Sequence, residues 1–107
     1  HKEWPQIPYL VITENGAGYD DVKVNGKVED VKRTKYIVSH LQSLQKAVSE
    51  GVPVKGYFAW SLLDNFEWAE GYAKRFGIVY VDFDTLERTP KMSFHKYKEI
   101  IAANSAI

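Results

Sequence analysis

The order of elements constrains this chain more than any other feature. Tyr9 to Thr13 (YLVIT) is a short run of aromatic and β-branched residues, apolar on both faces. Such a run is expected of a parallel strand covered on both sides. Val54 to about Ser61 reads as a second strand of the same kind. Between them, Ile37, Leu41, Leu44 and Val48 recur at three- and four-residue intervals, the stripe of an amphipathic helix. Asp30 is placed to cap that helix, which runs to about Glu50, and Gly51 comes next as a stop. Strand, loop, helix, strand makes a βαβ unit. A right-handed crossover sets the two strands parallel and brings the segments at their carboxyl ends to one edge of the sheet.

Those two segments are chemically unusual. Glu14, Asn15 and Gly16 end the first strand. A carboxylate at the carboxyl end of a buried strand is where α/β folds put their chemistry. The alternative is a plain turn, since Asn-Gly is a common turn dipeptide and an acid beside it is usually solvated. The second strand opens the stretch VKGYFAWSLLDNFEWAEGY, Val54 to Tyr72, with Trp60, Asp64, Asn65, Glu67 and Trp68 within nine residues. Pyranose rings present apolar C–H faces to indoles and hydroxyls to carboxylates and amides, so this mixture suits a sugar-binding lip. It is equally compatible with a buried strand running into an aromatic-rich loop. The crossover lifts both segments above these bland readings by making them converge.

The remaining segments are connectors. His1 to Pro8 holds two prolines and reads as an irregular lead-in. Ala17 to Glu29 is polar and turn-rich, with a hairpin in VKVNGKV closed by Asn25 and Gly26. Ile78 to Phe83 reads as a strand paired with Leu86 to Arg88 across Asp84 and Thr85. Thr89 and Pro90 resemble an N-cap and first helical position, and Phe94, Tyr97, Ile100 and Ile101 give the last helix an apolar face. His40 has no partner at metal-ligand spacing and is read as structural.

Lysine plus arginine and aspartate plus glutamate balance at 14 each, so charge gives no reason to expect nucleic acid or an anionic membrane as partner. With no cysteine, disulfides, thiol nucleophiles and cysteine metal sites are excluded. No apolar run approaches a membrane span and no secretory pattern opens the chain. The expectation is a cytoplasmic protein whose natural amino terminus is not represented, because the chain begins at His1 and enters almost at once into a strand.

Taken together, ITENG at Ile12 to Gly16, Asp30, Arg33, Tyr36, His40 and Leu41 in D-x-x-R-x-x-Y with HL, and GYFAWSLLDNFEWAEGY at Gly56 to Tyr72 resemble the carboxy-terminal part of a family 1 glycoside hydrolase. RFG at Arg75 to Gly77, YVDF at Tyr80 to Phe83 and R-x-P-K at Arg88 to Lys91 extend the resemblance over nearly the whole chain. Members are mostly β-glucosidases and related β-glycosidases. The resemblance implies an α/β fold, a retaining (β/α)8 TIM barrel of which residues 1–107 supply the last two β/α units, strands seven and eight with their helices. A barrel needs about 250 residues, so 107 cannot close one and the remainder is an expected partner, in the same or a complementary chain.

Carried over by position, Glu14 matches the catalytic nucleophile and Trp60 the aromatic platform under the sugar. Glu67 matches the acid that binds the hydroxyls at carbons four and six, Trp68 the indole donor to the hydroxyl at carbon three, and Phe76 a wall near carbon six. A carboxylate at position 67 followed by Trp68 points to unphosphorylated sugars, since an anion would repel a 6-phosphate. Retention requires a second carboxyl roughly 5 Å from the first. The family carries it in an Asn-Glu-Pro motif that this sequence lacks. Glu67 is already committed to the sugar and Glu70 has no motif support, so the chain alone is expected to be inactive. No metal or cofactor is required by the chemistry. A non-catalytic sugar-binding module and a self-assembling barrel fragment are the alternatives.

Overall fold

In a computed structural model describing residues 1–107, the chain forms β1 (Leu10–Asn15), α1 (Val31–Ser49), β2 (Val54–Ala59), β3 (Val79–Val81), β4 (Arg88–Pro90) and α2 (Met92–Ala103). β1 and β2 pair in parallel with Leu10 opposite Val54 and Asn15 opposite Ala59, as the crossover predicts. β3 and β4 form a separate antiparallel pair. No barrel closes.

Both helices lie against one face of the β1–β2 pair. Ile37 and Leu41 of α1 meet Ile78 and Val79 in the buried core, and Leu44, Tyr57, Phe94, Tyr97 and Ile100 pack around them. α1 ends as read: Gly51 takes φ +94, a backbone conformation that a side chain disfavours, and its amide donates to the Val48 carbonyl. Asn25 and Gly26, with φ of 51 and 76, close the hairpin between Val24 and Lys27. The lead-in is irregular. Neither helix is long and apolar enough to cross a membrane.

The other face of the pair is uncovered, which corrects the expectation that both faces are buried. Val11 is 41% exposed and Phe58 60%, side by side above Gly56. Only 13 of 107 residues are buried, and the radius of gyration is 15.6 Å against about 13 Å for a compact domain of this size. The chain is therefore a slab with a sheet face and both sheet edges open.

Three local expectations also change. Thr89 and Pro90 do not start the last helix: they pair with Tyr80 and Val79 in β4, and α2 begins at Met92 with Lys91 as N-cap. Proline fits that strand because a two-stranded edge needs no donor from it. The hairpin partner of Val79–Val81 is thus Arg88–Pro90 rather than Leu86–Arg88, and Leu86 lies in the turn with φ 64. The Asp82 carboxylate organises this turn by accepting the amides of Thr85 and Asp84, which hold its pKa below the usual value. Finally, Val48 and Ile101 are exposed, lining the cleft between the two helices.

Candidate active site

β1 and β2 deliver their carboxyl ends to one rim. The Trp60 amide donates to the Asn15 carbonyl at 2.9 Å, prolonging the ladder past Ala59. Gly16 then passes so close to Trp60 that a Cβ there would collide with the Trp60 carbonyl oxygen. Glu14 is exposed at this rim, two residues from that contact. The Trp60–Ser61 peptide is cis.

Asn15 links three elements with its side chain. Its Oδ1 accepts from the Tyr57 hydroxyl on β2 at 2.8 Å, and its Nδ2 donates to the Tyr36 hydroxyl on α1 at 3.2 Å. Burial, followed by the neighbouring Tyr97 and Tyr36, pushes the Tyr57 pKa up to about 12, so this phenol stays a neutral donor. Asn15 is therefore held by its backbone and by both ends of its amide.

Glu67 and Trp68 arrive on the loop after β2. Trp60 Nε1 donates to Glu67 Oε2 at 3.4 Å, so the indole and the carboxylate share one spot. Glu67 and Gly71 exchange backbone hydrogen bonds across a tight turn in which Gly71 takes φ +59. Phe66, Tyr72 and Phe83 stack edge to face beneath that turn, with centroids 5.3 and 4.9 Å apart. Trp68 sits at the turn and is 93% exposed. Phe76 is half-buried with its ring against Gly18, while its carbonyl accepts from the Ser61 amide at 2.9 Å.

The rim thus gathers Glu14, Trp60 and Glu67, and leaves Trp68 standing in solvent and Phe76 against the loop after β1. Three clefts lie elsewhere: beside Tyr19 and Asp30, between α2 and the Val24–Lys27 hairpin, and between the two helices. Glu14, Trp60, Glu67 and Trp68 line none of them. Two adjacent strand ends supply walls on one side only. No group of three histidine, cysteine or acidic side chains converges as a metal site.

Beneath the rim lies a buried ion network that the sequence did not lead us to expect. Lys91 Nζ donates to Asp21 Oδ2 at 2.5 Å, Asp64 Oδ1 at 2.8 Å and the Gly77 carbonyl at 2.7 Å. Arg33 Nη1 contacts Asp21 at 2.7 Å and Asp30 at 2.6 Å, and its Nη2 donates to the Arg75 carbonyl at 2.6 Å. Arg75 Nη1 donates to Asp64 Oδ2 and to the Val81 carbonyl, both at 2.7 Å, and its guanidinium lies over the rings of Tyr80 and Phe83. The Asp30 carboxylate, expected to cap α1, instead accepts from Arg33 and from the amide and hydroxyl of Ser93. Three carboxylates face three cations, which is the condition under which buried charge is tolerated. The network ties the loop after β1, the start of α1, the loop after β2 and the start of α2 into one support. Asp30, Arg33, Asp64, Arg75 and Lys91 all stand in the sequence motifs; Asp21, in a polar loop, carries no signal.

The sequence profile of glycosyl hydrolase family 1 matches residues 1–106. Beta-glucosidase A of Thermotoga maritima is 54% identical over 104 residues, and beta-glucosidase A of Acetivibrio thermocellus 55% identical over 98. These matches take in 96% and 91% of this chain, but 23% and 22% of those proteins. A solved structure of the Thermotoga maritima beta-glucosidase in complex with methoxycarbonyl-substituted glucoimidazole superimposes with a TM-score of 0.93 at 53% identity, over 97% of this chain and 24% of that one. The chain therefore spans about a quarter of the length of the relatives it matches. It belongs to glycosyl hydrolase family 1.

Proposed function

We propose that this chain supplies the nucleophile and part of the sugar site of a retaining β-glycosidase of the β-glucosidase type. Glu14 attacks the anomeric carbon of a terminal β-glycoside, and the glycosidic bond breaks as the aglycone leaves with a proton from the general acid. The glycosyl-enzyme formed is released by water, so configuration is retained. Trp60 lies under the sugar, Glu67 binds its outer hydroxyls, Trp68 donates to a further hydroxyl and Phe76 flanks it. The observation that supports this reading is that the Trp60 amide donates to the carbonyl of Asn15, the residue after Glu14, while Glu67 accepts from the Trp60 indole.

On this reading residues 1–107 are strands seven and eight, with their helices, of a (β/α)8 barrel. The uncovered face around Val11 and Phe58 is its interior, and the unpaired edges of β1 and β2 take the neighbouring strands. The general acid belongs to the remainder of that barrel, and the chain by itself is inactive. The test is to complement these 107 residues with the amino-terminal three-quarters of the Thermotoga maritima relative and follow hydrolysis of an aryl β-glucoside. Turnover that disappears in Glu14→Gln supports the assignment; unchanged turnover in that variant refutes it.

A further inference from the structure

We propose that Asn15 is a positioning residue for the Glu14 carboxylate, acting through a hydrogen-bonded chain from Tyr57 to Asn15 to Tyr36. This rests on the reading of Glu14 as nucleophile and adds to it a residue that touches neither sugar nor reacting atoms.

A nucleophile must stand within a few tenths of an ångström of its attack line, and an error of about 1 Å costs on the order of 100-fold in rate. Glu14 is exposed near the end of a strand, so its backbone must be fixed from outside. The pairing of β1 with β2 is irregular between Ile12 and Asn15, and so does not fix Glu14 by regular ladder geometry. Regular support resumes at Asn15, through the Trp60 amide on its carbonyl and the two hydroxyls on its side chain. Those hydroxyls come from different elements, β2 and α1, so the amide is triangulated rather than tethered. Tyr57 is itself held by its packing into the core beside Tyr97. The Asn15 side chain uses one acceptor and one donor at once, which neither alanine nor a purely apolar residue can reproduce.

The experiment uses the complemented barrel and compares Asn15→Ala, Asn15→Asp, Tyr57→Phe and Glu14→Gln on an aryl β-glucoside, with the folded fraction measured for each. For Asn15→Ala the expected result is a fall in kcat of about 10- to 100-fold with KM little changed, because misplacement affects the attacking atom more than sugar binding. Tyr57→Phe, which keeps the ring, shows a smaller fall of the same type. Asn15→Asp recovers much of the loss, since its oxygens still accept from Tyr57 and the Tyr36 hydroxyl can turn to donate. Wild-type kcat in folded Asn15→Ala and Tyr57→Phe overturns the proposal, as does a loss of rate that merely tracks the loss of folded protein. Should Asn15→Ala fail to fold, Tyr57→Phe decides alone. Glu14→Gln separates the two readings: if it is dead while the Asn15 and Tyr57 variants are fully active, only the positioning role fails, and if it is active the nucleophile itself is misassigned.

Discussion

Lys91 Nζ sits 2.8 Å from Asp64 Oδ1, and both side chains are cut off from solvent. The same ammonium holds Asp21 and the Gly77 carbonyl, so one residue at the start of α2 fastens the two loops that form the rim. Charge of this kind adds little net stability compared with an apolar filling, but removing one partner is costly because the others stay buried and uncompensated.

Lys91→Met should accordingly destabilise the complemented barrel by about 3–5 kcal/mol. Thermal or denaturant unfolding measures it. Asp64 and Asp21 lose their shared cation and keep only Arg75 and Arg33, and the loop bearing Glu67 and Trp68 loses one of its anchors, so activity should fall along with stability.

Gly16→Ala should open the rim. The added Cβ would meet backbone, the Trp60 carbonyl, rather than a side chain that can swing away. Overpacking of this type costs roughly 1–3 kcal/mol. Because strand ends must part to relieve it, Gly16→Ala should lower kcat in steady-state assays, whereas Gly26→Ala, at a turn with nothing within 4 Å, should change stability alone.

Tyr57 sets an alkaline limit. Its folded pKa, about 12, lies above the ordinary phenol value of 10.0, so the folded state holds its proton more tightly than the unfolded chain. The stabilisation this gives is complete below pH 10.0 and is lost as pH rises through about 12. Burial also raises the Tyr97 pKa, so titration by tyrosinate absorbance should show late-ionising phenols of which one is lost in Tyr57→Phe, and the variant should have a flatter stability profile over that interval.

Phe58 distinguishes a lone slab from a piece of a barrel. It is 60% exposed in this chain, so Phe58→Ala should change the isolated chain's stability by no more than about 0.5 kcal/mol. If the open face is a barrel interior, the same substitution should cost the complemented protein about 3–5 kcal/mol. Paired unfolding curves give the comparison.

Much of the architecture is legible in the sequence because local periodicity and burial agree. Ile37 and Leu41 announce the inner face of α1, and the apolar runs of β1 and β2 announce a parallel pair. Two kinds of feature are not legible. The open face around Val11 and Phe58 looks the same in sequence as a covered one, since apolar composition records what a strand is built to meet and not whether it is met. Thr89 and Pro90 carry the local chemistry of a helix start, yet pairing with Tyr80 and Val79 prevails over it.

The site is legible to a similar degree. Trp60 and Glu67 share a hydrogen bond on the segment after β2, and Glu14 lies near the carboxyl end of its parallel partner β1. The ion network is hidden because its partners are distant in sequence, Lys91 and Asp21 lying 70 residues apart, and because charged residues in polar loops carry no sign of burial. Asn15 reads as a turn residue, and only the two hydroxyls converging on its amide reveal its support of the rim.

The nucleophile is tested most directly by trapping it. The complemented barrel would be treated with a 2-deoxy-2-fluoro-β-glucoside carrying a good leaving group, digested, and its peptides weighed. A fluoroglucosyl adduct on the peptide containing Glu14, absent from Glu14→Gln, is the expected result. An adduct on any other carboxylate, or a trapped enzyme whose Glu14 peptide is unmodified, would contradict the assignment.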